Sequence, residues 1–313
     1  MSEDGSIRNA ERITSEAVLL ERALKNQDAV LSSEPRAREP LVLAQAPAAR
    51  PVPNGRPADD VLVAYTPKEV ADWYRRLALS IRGRQPNSLA AQMMLHWLDG
   101  GGKLFTFDAG YVKNLSYVRA NLLGEVRPVF LTEKKIKGEK WGGVLPRIKG
   151  IPPHPPWDGT SKFQMVYEGP PAEVPLSVHA RAAVGFADPE DLDILMSLHK
   201  FGLRTNVVAS AVPGPQSTTK YTVTFESWET RAFDRYNWDP TKHITVPNPD
   251  FGNPSKLLAP VAPDKETVRV YHSNAIRVEE AKLASPYDAV SIPWTVTDAE
   301  ITGPGTVDAS KNL

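Results

Sequence analysis

The chain has 313 residues and no cysteine. That excludes disulfides, thiolate catalysis and cysteine-based zinc or iron–sulfur sites. It also suits a protein that ends in an oxidising compartment, where a free thiol is a liability. There is no charge surplus, because 37 basic side chains cancel 37 acidic ones. Capture of nucleic acid over a wide surface needs a basic excess, so nucleic acid is not an expected partner. Long apolar runs are missing too. Val207–Val212, with a serine inside it, falls far short of the ~20 residues that span a bilayer. No transmembrane segment is expected. The opening MSEDGSIRNAER carries acids where a secretory signal has a basic region and then an apolar core. The expectation is a chain made soluble in the cytoplasm that does not leave by a cleavable signal. No G-x-S-x-G, Walker loop, H-E-x-x-H or G-x-G-x-x-G is present.

What is abundant is proline, with 29 residues, roughly twice the usual ~5%. Apolar residues at 41% and charged residues at 24% are ordinary globular usage, so the prolines belong in linkers and loops of a folded protein. Residues 1–60 read as a flexible segment and proline-rich linker. Within it, Ile13, Ala17, Leu20 and Leu24 line up on a single apolar helical face, a short helix or a partner-binding segment.

From residue 61 the pattern is that of an α+β protein. A helical module is expected over 61–150. Thr66-Pro67-Lys68-Glu69 is a capping box, and Val70, Trp73, Tyr74, Leu77 and Ile81 follow at helical spacing. Asn87-Ser88 opens a second helix ending at Gly100–Gly102, and Asp108 a third with Gly124 as its stop. Residues 125–150 are basic, read as a solvated loop ahead of a phosphate-facing patch. IPPHPPWDG (151–159) is either a linker or a stiff loop packed by Trp157.

A mainly antiparallel β domain, an open barrel or curved sheet with one or two helices, is expected over 151–305, and a tail over 306–313. Asp188-Pro189-Glu190 starts a helix that stops at Gly202. Asn206–Val212 and Thr219–Trp228 form a hairpin across Pro213-Gly214-Pro215. Thr267–Tyr271 reads as a strand, Asn274–Leu283 as a helix and Ala289–Thr295 as a last strand. The chain from Gly303 is expected to fray.

The hairpin runs into Arg231-Ala-Phe-Asp234-Arg235-Tyr236-Asn237-Trp238-Asp239-Pro240-Thr241-Lys242-His243, where a strand is leaving its sheet. Alternation places Asp234 and Tyr236 on one face. The Asp239-Pro240 turn lets the chain fold back. These groups suit phosphodiester chemistry. A carboxylate holds Mg²⁺ or orients water, a histidine protonates a leaving oxygen near neutral pH, and a cation offsets transition-state charge. Asp234, Tyr236, Asn237 and His243 are the catalytic candidates. Arg235, Lys242 and Trp238 are the substrate-binding candidates, and Asp234 and Asp239 the metal ligands. His272, at the end of a strand, is a secondary candidate. The structural alternative is a strand followed by a polar turn, with Tyr236 and Trp238 in the core.

The stretch resembles the motif of lipid II-degrading bacteriocins of the colicin M type. These carry Asp-x-Tyr-Asp, five residues, then His-Arg, late in a β-rich activity domain. Asp234, Tyr236 and His243 match, while Asn237 stands for the aspartate and Ile244 for the arginine. The segment Leu192–Trp294 also looks like the C-terminal regions of toxin-like effectors of type VI secretion. There a "DRYDW" strand precedes a helix and a "-YDxxG-" strand, matched by Asp234–Trp238, Asn274–Leu283 and Tyr287-Asp288-Ala289. The resemblance implies an antibacterial effector that hydrolyses the phosphodiester of lipid II with a divalent cation, usually Mg²⁺. It implies export by a specialised secretion system to the target periplasm, a secretion spike or chaperone contact through residues 1–60, and an immunity protein. The Asn237 and Ile244 departures favour a different class, a non-enzymatic adaptor or structural component of the secretion apparatus. A third reading is membrane disruption by the amphipathic N-terminus.

Overall fold

In a computed structural model, the described residues are 60, 62–63, 65–131, 143–152, 154–155, 157–183, 188–215, 219–252 and 265–310. The N-terminal segment and linker expected before residue 60, and residues 132–142 of the basic stretch, lie outside them. The fold is α+β. In chain order the first elements are helices α1 (Pro67–Arg84) and α2 (Leu89–Asp99), strand β1 (Phe105–Phe107), and helices α3 (Ser116–Asn121), α4 (Arg127–Leu131) and α5 (Val144–Ile148). Then come β2 (Phe163–Glu168), β3 (Ala172–Glu173), α6 (Leu176–Ala183), α7 (Pro189–Ser197), β4 (Lys200–Pro213) and β5 (Lys220–Tyr236). The chain ends with β6 (His243–Pro247), β7 (Thr267–Tyr271), α8 (His272–Glu280), β8 (Tyr287–Ser291), β9 (Trp294–Thr295), α9 (Ala299–Thr302) and β10 (Gly305–Asp308). Among the described residues no helix is long and apolar enough to cross a membrane.

Two compact units are interleaved along the chain, each drawn from three stretches, so they cut across the segments 61–150 and 151–305. The first comprises residues up to Gly101, Val174–Met196 and Asn237–Ser285. Its α1 starts as the sequence reads. The Thr66 hydroxyl accepts the Glu69 N–H at 3.3 Å, and the Glu69 carboxylate accepts the Thr66 N–H at 2.8 Å. Val70, Trp73, Tyr74 and Leu77 are fully buried, and α1 packs on α2 and α8. Each such side chain contributes about 1.5–3 kcal/mol of apolar burial.

The N-terminus of α2 is satisfied from two directions. The Ser88 hydroxyl accepts the Ala91 N–H at 3.0 Å, while Asp193 of α7 accepts the Leu89 and Ala90 N–H groups at 2.7 and 3.0 Å. Asp193 also accepts the Ser88 hydroxyl. Asp250, 1% exposed, is gripped by the fork of Arg76, with Nε and Nη2 each 3.0 Å from a carboxylate oxygen. Strands β6 and β7 pair antiparallel from His243↔Tyr271 to Pro247↔Thr267.

The second unit comprises Gly102–Glu173, Ser197–Tyr236 and Pro286–Leu313. Its sheet runs β1-β8-β5-β4-β2, with β9 and β10 also on β5 and β3 on β4. The path is open, ending at β1 and β2, and only the β1–β8 pair is parallel among the described pairs. The long β4–β5 hairpin shifts register between Val208 and Ala209, a bulge that bends the strand. Alternation buries Val207, Ala209, Val223 and Phe225. Trp228 packs edge-on to Phe130 of α4 at 5.3 Å and to Phe225 at 5.1 Å. Trp157, near the end of the proline stretch, packs on Phe163 and Tyr221.

Four expectations are corrected. Asp108 caps a short 3-10 turn, Ala109–Tyr111, rather than a long helix, which restarts only at Ser116. Gly124 does not stop that helix. The chain widens through a π-turn, Leu122–Val126, into α4, because Leu122, Val126 and Phe130 continue one buried ladder. Burying these outweighs the ~1 kcal/mol a helical glycine costs.

Gly202 lies inside β4, not at a helix end, and sits directly across from Phe233. A Cβ there would collide with the Phe233 ring. Gly202→Ala is therefore expected to cost about 1–3 kcal/mol, read as a lowered denaturation midpoint; an unchanged midpoint would mean the ring moves freely. Finally, residues 303–310 are not frayed. Arg127 donates to the carbonyls of Ile301 and Gly303 at 3.0 and 3.1 Å, and β10 pairs with β5, burying Val307 opposite Tyr221.

Candidate functional site

The stretch Asp234–His243 divides at the boundary of the two units, between Tyr236 and Asn237. In the second unit β5 does not leave the sheet where the sequence suggested. It stays paired with β8 through Asp234↔Ala289, Arg235↔Asp288 and Tyr236↔Tyr287. This follows from the apolar content of β8, whose Tyr287 and Ala289 are almost fully buried and need cover.

Ala232 and Tyr236 are buried and Asp234 half-buried, whereas Arg235 is exposed, so Asp234 and Tyr236 share a face as alternation requires. The rings of Tyr236 and Tyr287 stack at 5.1 Å, 15° apart, and Phe105 meets Tyr287 edge-on at 6.0 Å. Arg235 donates to Asp288 at 2.8 Å in an exposed pair.

Burial, with the neighbouring Tyr236 and Asp234, pushes the Tyr287 phenol well above its ordinary range. Unfolding exposes a tyrosine that ionises near pH ~10. The folded pKa is raised, so this contribution to stability is complete below that pH and declines above it. Stability should fall between pH ~9 and 11, and Tyr287→Phe should flatten that slope in denaturant titrations at each pH. Identical slopes would contradict the buried phenol.

In the first unit, Asn237 is exposed. Trp238, a substrate-binding candidate in the sequence, is half-buried in an aromatic group, with Trp97 at 5.3 Å, Tyr74 at 5.6 Å and His272 at 4.9 Å. Trp97 in turn donates its indole N–H to Glu279 at 2.8 Å.

Beyond Trp238 the chain turns. Asp239 Oδ1 accepts the Thr241 N–H at 3.0 Å and its hydroxyl at 2.7 Å, and the Asp239 carbonyl accepts the Lys242 N–H at 3.0 Å. This is the side-chain turn expected of Asp-Pro. Burial works against ionisation of Asp239, but the Thr241 hydroxyl and N–H, with Lys242 and His272 nearby, hold its carboxyl below the usual range. His243, exposed at the start of β6, has its ring 5.4 Å from that of Tyr271.

The structure thus gathers Asp234 with Tyr236 in one unit, and Asp239 with Lys242 and His272 in the other. It adds Tyr287, whose signal in the sequence is the Tyr-Asp pair at 287–288. Among the described residues no group of three or more histidines and carboxylates is placed to hold a metal ion. Asp234 and Asp239, the two metal ligands read from the sequence, lie in different units. Comparison with protein-family models, curated proteins and solved structures returns no match.

Proposed function

We propose that the chain is an antibacterial effector that hydrolyses the phosphodiester of a lipid-linked peptidoglycan precursor, lipid II. The observation that supports it is the Asp234-x-Tyr236 pair on one face of a paired strand end, followed by an exposed histidine at the motif's spacing, His243. In this reading Asp234 orients the attacking water. His243 protonates the leaving oxygen, a role suited to an imidazole near neutral pH. Arg235 and Lys242 offset negative charge on the phosphates. Tyr236, buried and stacked, sets the face on which Asp234 stands. Asp234, a hard oxygen donor, would offer one ligand to the divalent cation that the resemblance implies, which would neutralise phosphate charge. The same reading has the protein exported by a type VI secretion system and acting in the target periplasm. There residues 1–60 would meet a spike or chaperone, and an immunity protein would protect the producer.

The test is direct. The purified chain with Mg²⁺ and lipid II should release pyrophosphoryl-muropeptide, seen by chromatography. No product above a protein-free control would end the enzymatic reading.

Asn237 is the informative position, because it is exposed and can be changed without disturbing a core. Asn237→Asp restores the carboxylate of the resembled motif. It is expected to raise hydrolysis by about tenfold or more, as a gained acid–base or ligand group does. A drop in rate would show that the amide belongs to the site as it stands. The Asn237 and Ile244 departures favour a second reading, a non-enzymatic adaptor of the secretion apparatus. Tight co-purification with a spike component, without hydrolysis by either form, would support that one.

A further inference from the structure

The turn between β5 and β6 carries Asp239 at one end and delivers His243 at the other, and both ends meet the same residue. The Asp239 N–H donates to Nδ1 of His272 at 3.3 Å. The backbone N–H of His272 donates to the Lys242 carbonyl at 3.0 Å. The imidazole also lies edge-on to Trp238, 80° between planes, so it touches the residue that leads into the turn.

His272 is itself held firmly. It is the first residue of α8, and Asn274, two residues on, donates to the buried carboxylate of Asp60 at 2.7 Å. Arg277 of the same helix donates to the Tyr65 carbonyl. Immediately before His272, Tyr271 pairs in register with His243.

We infer that His272 is a positioning residue, clamping residues 239–242 at both ends so that His243 enters β6 in one fixed register. Nδ1 acts as the acceptor, so the ring proton sits on Nε2. Thr241 organises the turn from within through the Asp239 carboxylate, but those bonds are local and exposed and leave the turn's orientation open. The His272 contacts tie it to a helix. Asparagine places an acceptor oxygen close to where Nδ1 lies, whereas leucine fills similar space with no acceptor. The consequence for catalysis rests on the hydrolase reading above; the geometry of the turn does not.

The experiment uses the full chain labelled with nitrogen-15. A coupling across the hydrogen bond between the Asp239 amide nitrogen and His272 Nδ1 is expected. His272→Leu should lose it and shift the amide signals of Thr241, Lys242 and His243. His272→Asn should return those signals towards the wild type. In the lipid II assay His272→Leu should lower kcat by about tenfold, with His272→Asn recovering most of it. If there is no coupling, and His272→Leu leaves the turn signals and the rate unchanged, the inference is overturned. If coupling and asparagine rescue of the turn are seen while the wild type hydrolyses nothing, the clamp stands and the proposed function fails. Should His272→Leu not fold, the coupling in the wild type and the asparagine variant decide alone.

Discussion

Asp193→Ala is expected to destabilise the first unit by about 3–5 kcal/mol. The carboxylate is 5% exposed and accepts three donors at once, the Ser88 hydroxyl and the Leu89 and Ala90 N–H groups. The first N–H groups of a helix have no partner within it, and here they are too deeply buried for water to serve. Removing the acceptor strands all of them, and an unsatisfied buried donor costs more than its hydrogen bond contributes when made. Asp193→Asn keeps one acceptor oxygen and should lose roughly half as much. Chemical denaturation of the three proteins gives the order. A loss below about 1 kcal/mol for alanine would show that the helix end finds other partners.

On the proposed lipid II hydrolase reading, Asp234→Ala is expected to abolish killing when the protein is directed to the periplasm of a susceptible bacterium, and to lower lipid II hydrolysis by at least about 10²-fold. The side chain is half-buried beside stacked tyrosines on a strand end that stays paired with β8, so its loss leaves the backbone of β5 and β8 in register. Activity and stability then separate cleanly. The variant should melt with the wild type yet be harmless. Asp234→Asn, which keeps the shape and removes the charge, should be nearly as inactive. Equal toxicity of wild type and alanine variant would remove Asp234 from the chemistry.

Much of the architecture is written in local signals. The capping box at Thr66–Glu69, Ser88 before an apolar run, and alternation along Thr219–Trp228 each depend on residues a few positions apart, and each gives the observed element. What the sequence hid depends on distant partners. Gly124 and Gly202 look like helix stops because glycine usually is one. The former sits in a π-turn held by Val126 and Phe130, the latter beneath the ring of Phe233. The tail reads as loose because nothing local says that Arg127, some 170 residues away, holds its carbonyls. In the candidate site the shared face of Asp234 and Tyr236 was legible from strand period alone. The Tyr287 stack and the His272 bond were not, since each joins segments far apart in the chain.

The interleaving of the two units has a practical side. No single contiguous gene fragment encodes either of them. A piece ending at Gly101 keeps α1 and α2 but lacks Asp193, Asp250 and α8, on which they rest. A piece starting at Gly102 carries those residues with nothing to receive them. Moving either unit intact into another protein, by recombination or in the laboratory, must therefore carry all three of its stretches together. A truncation that removes any one of a unit's three stretches breaks that unit rather than trimming it.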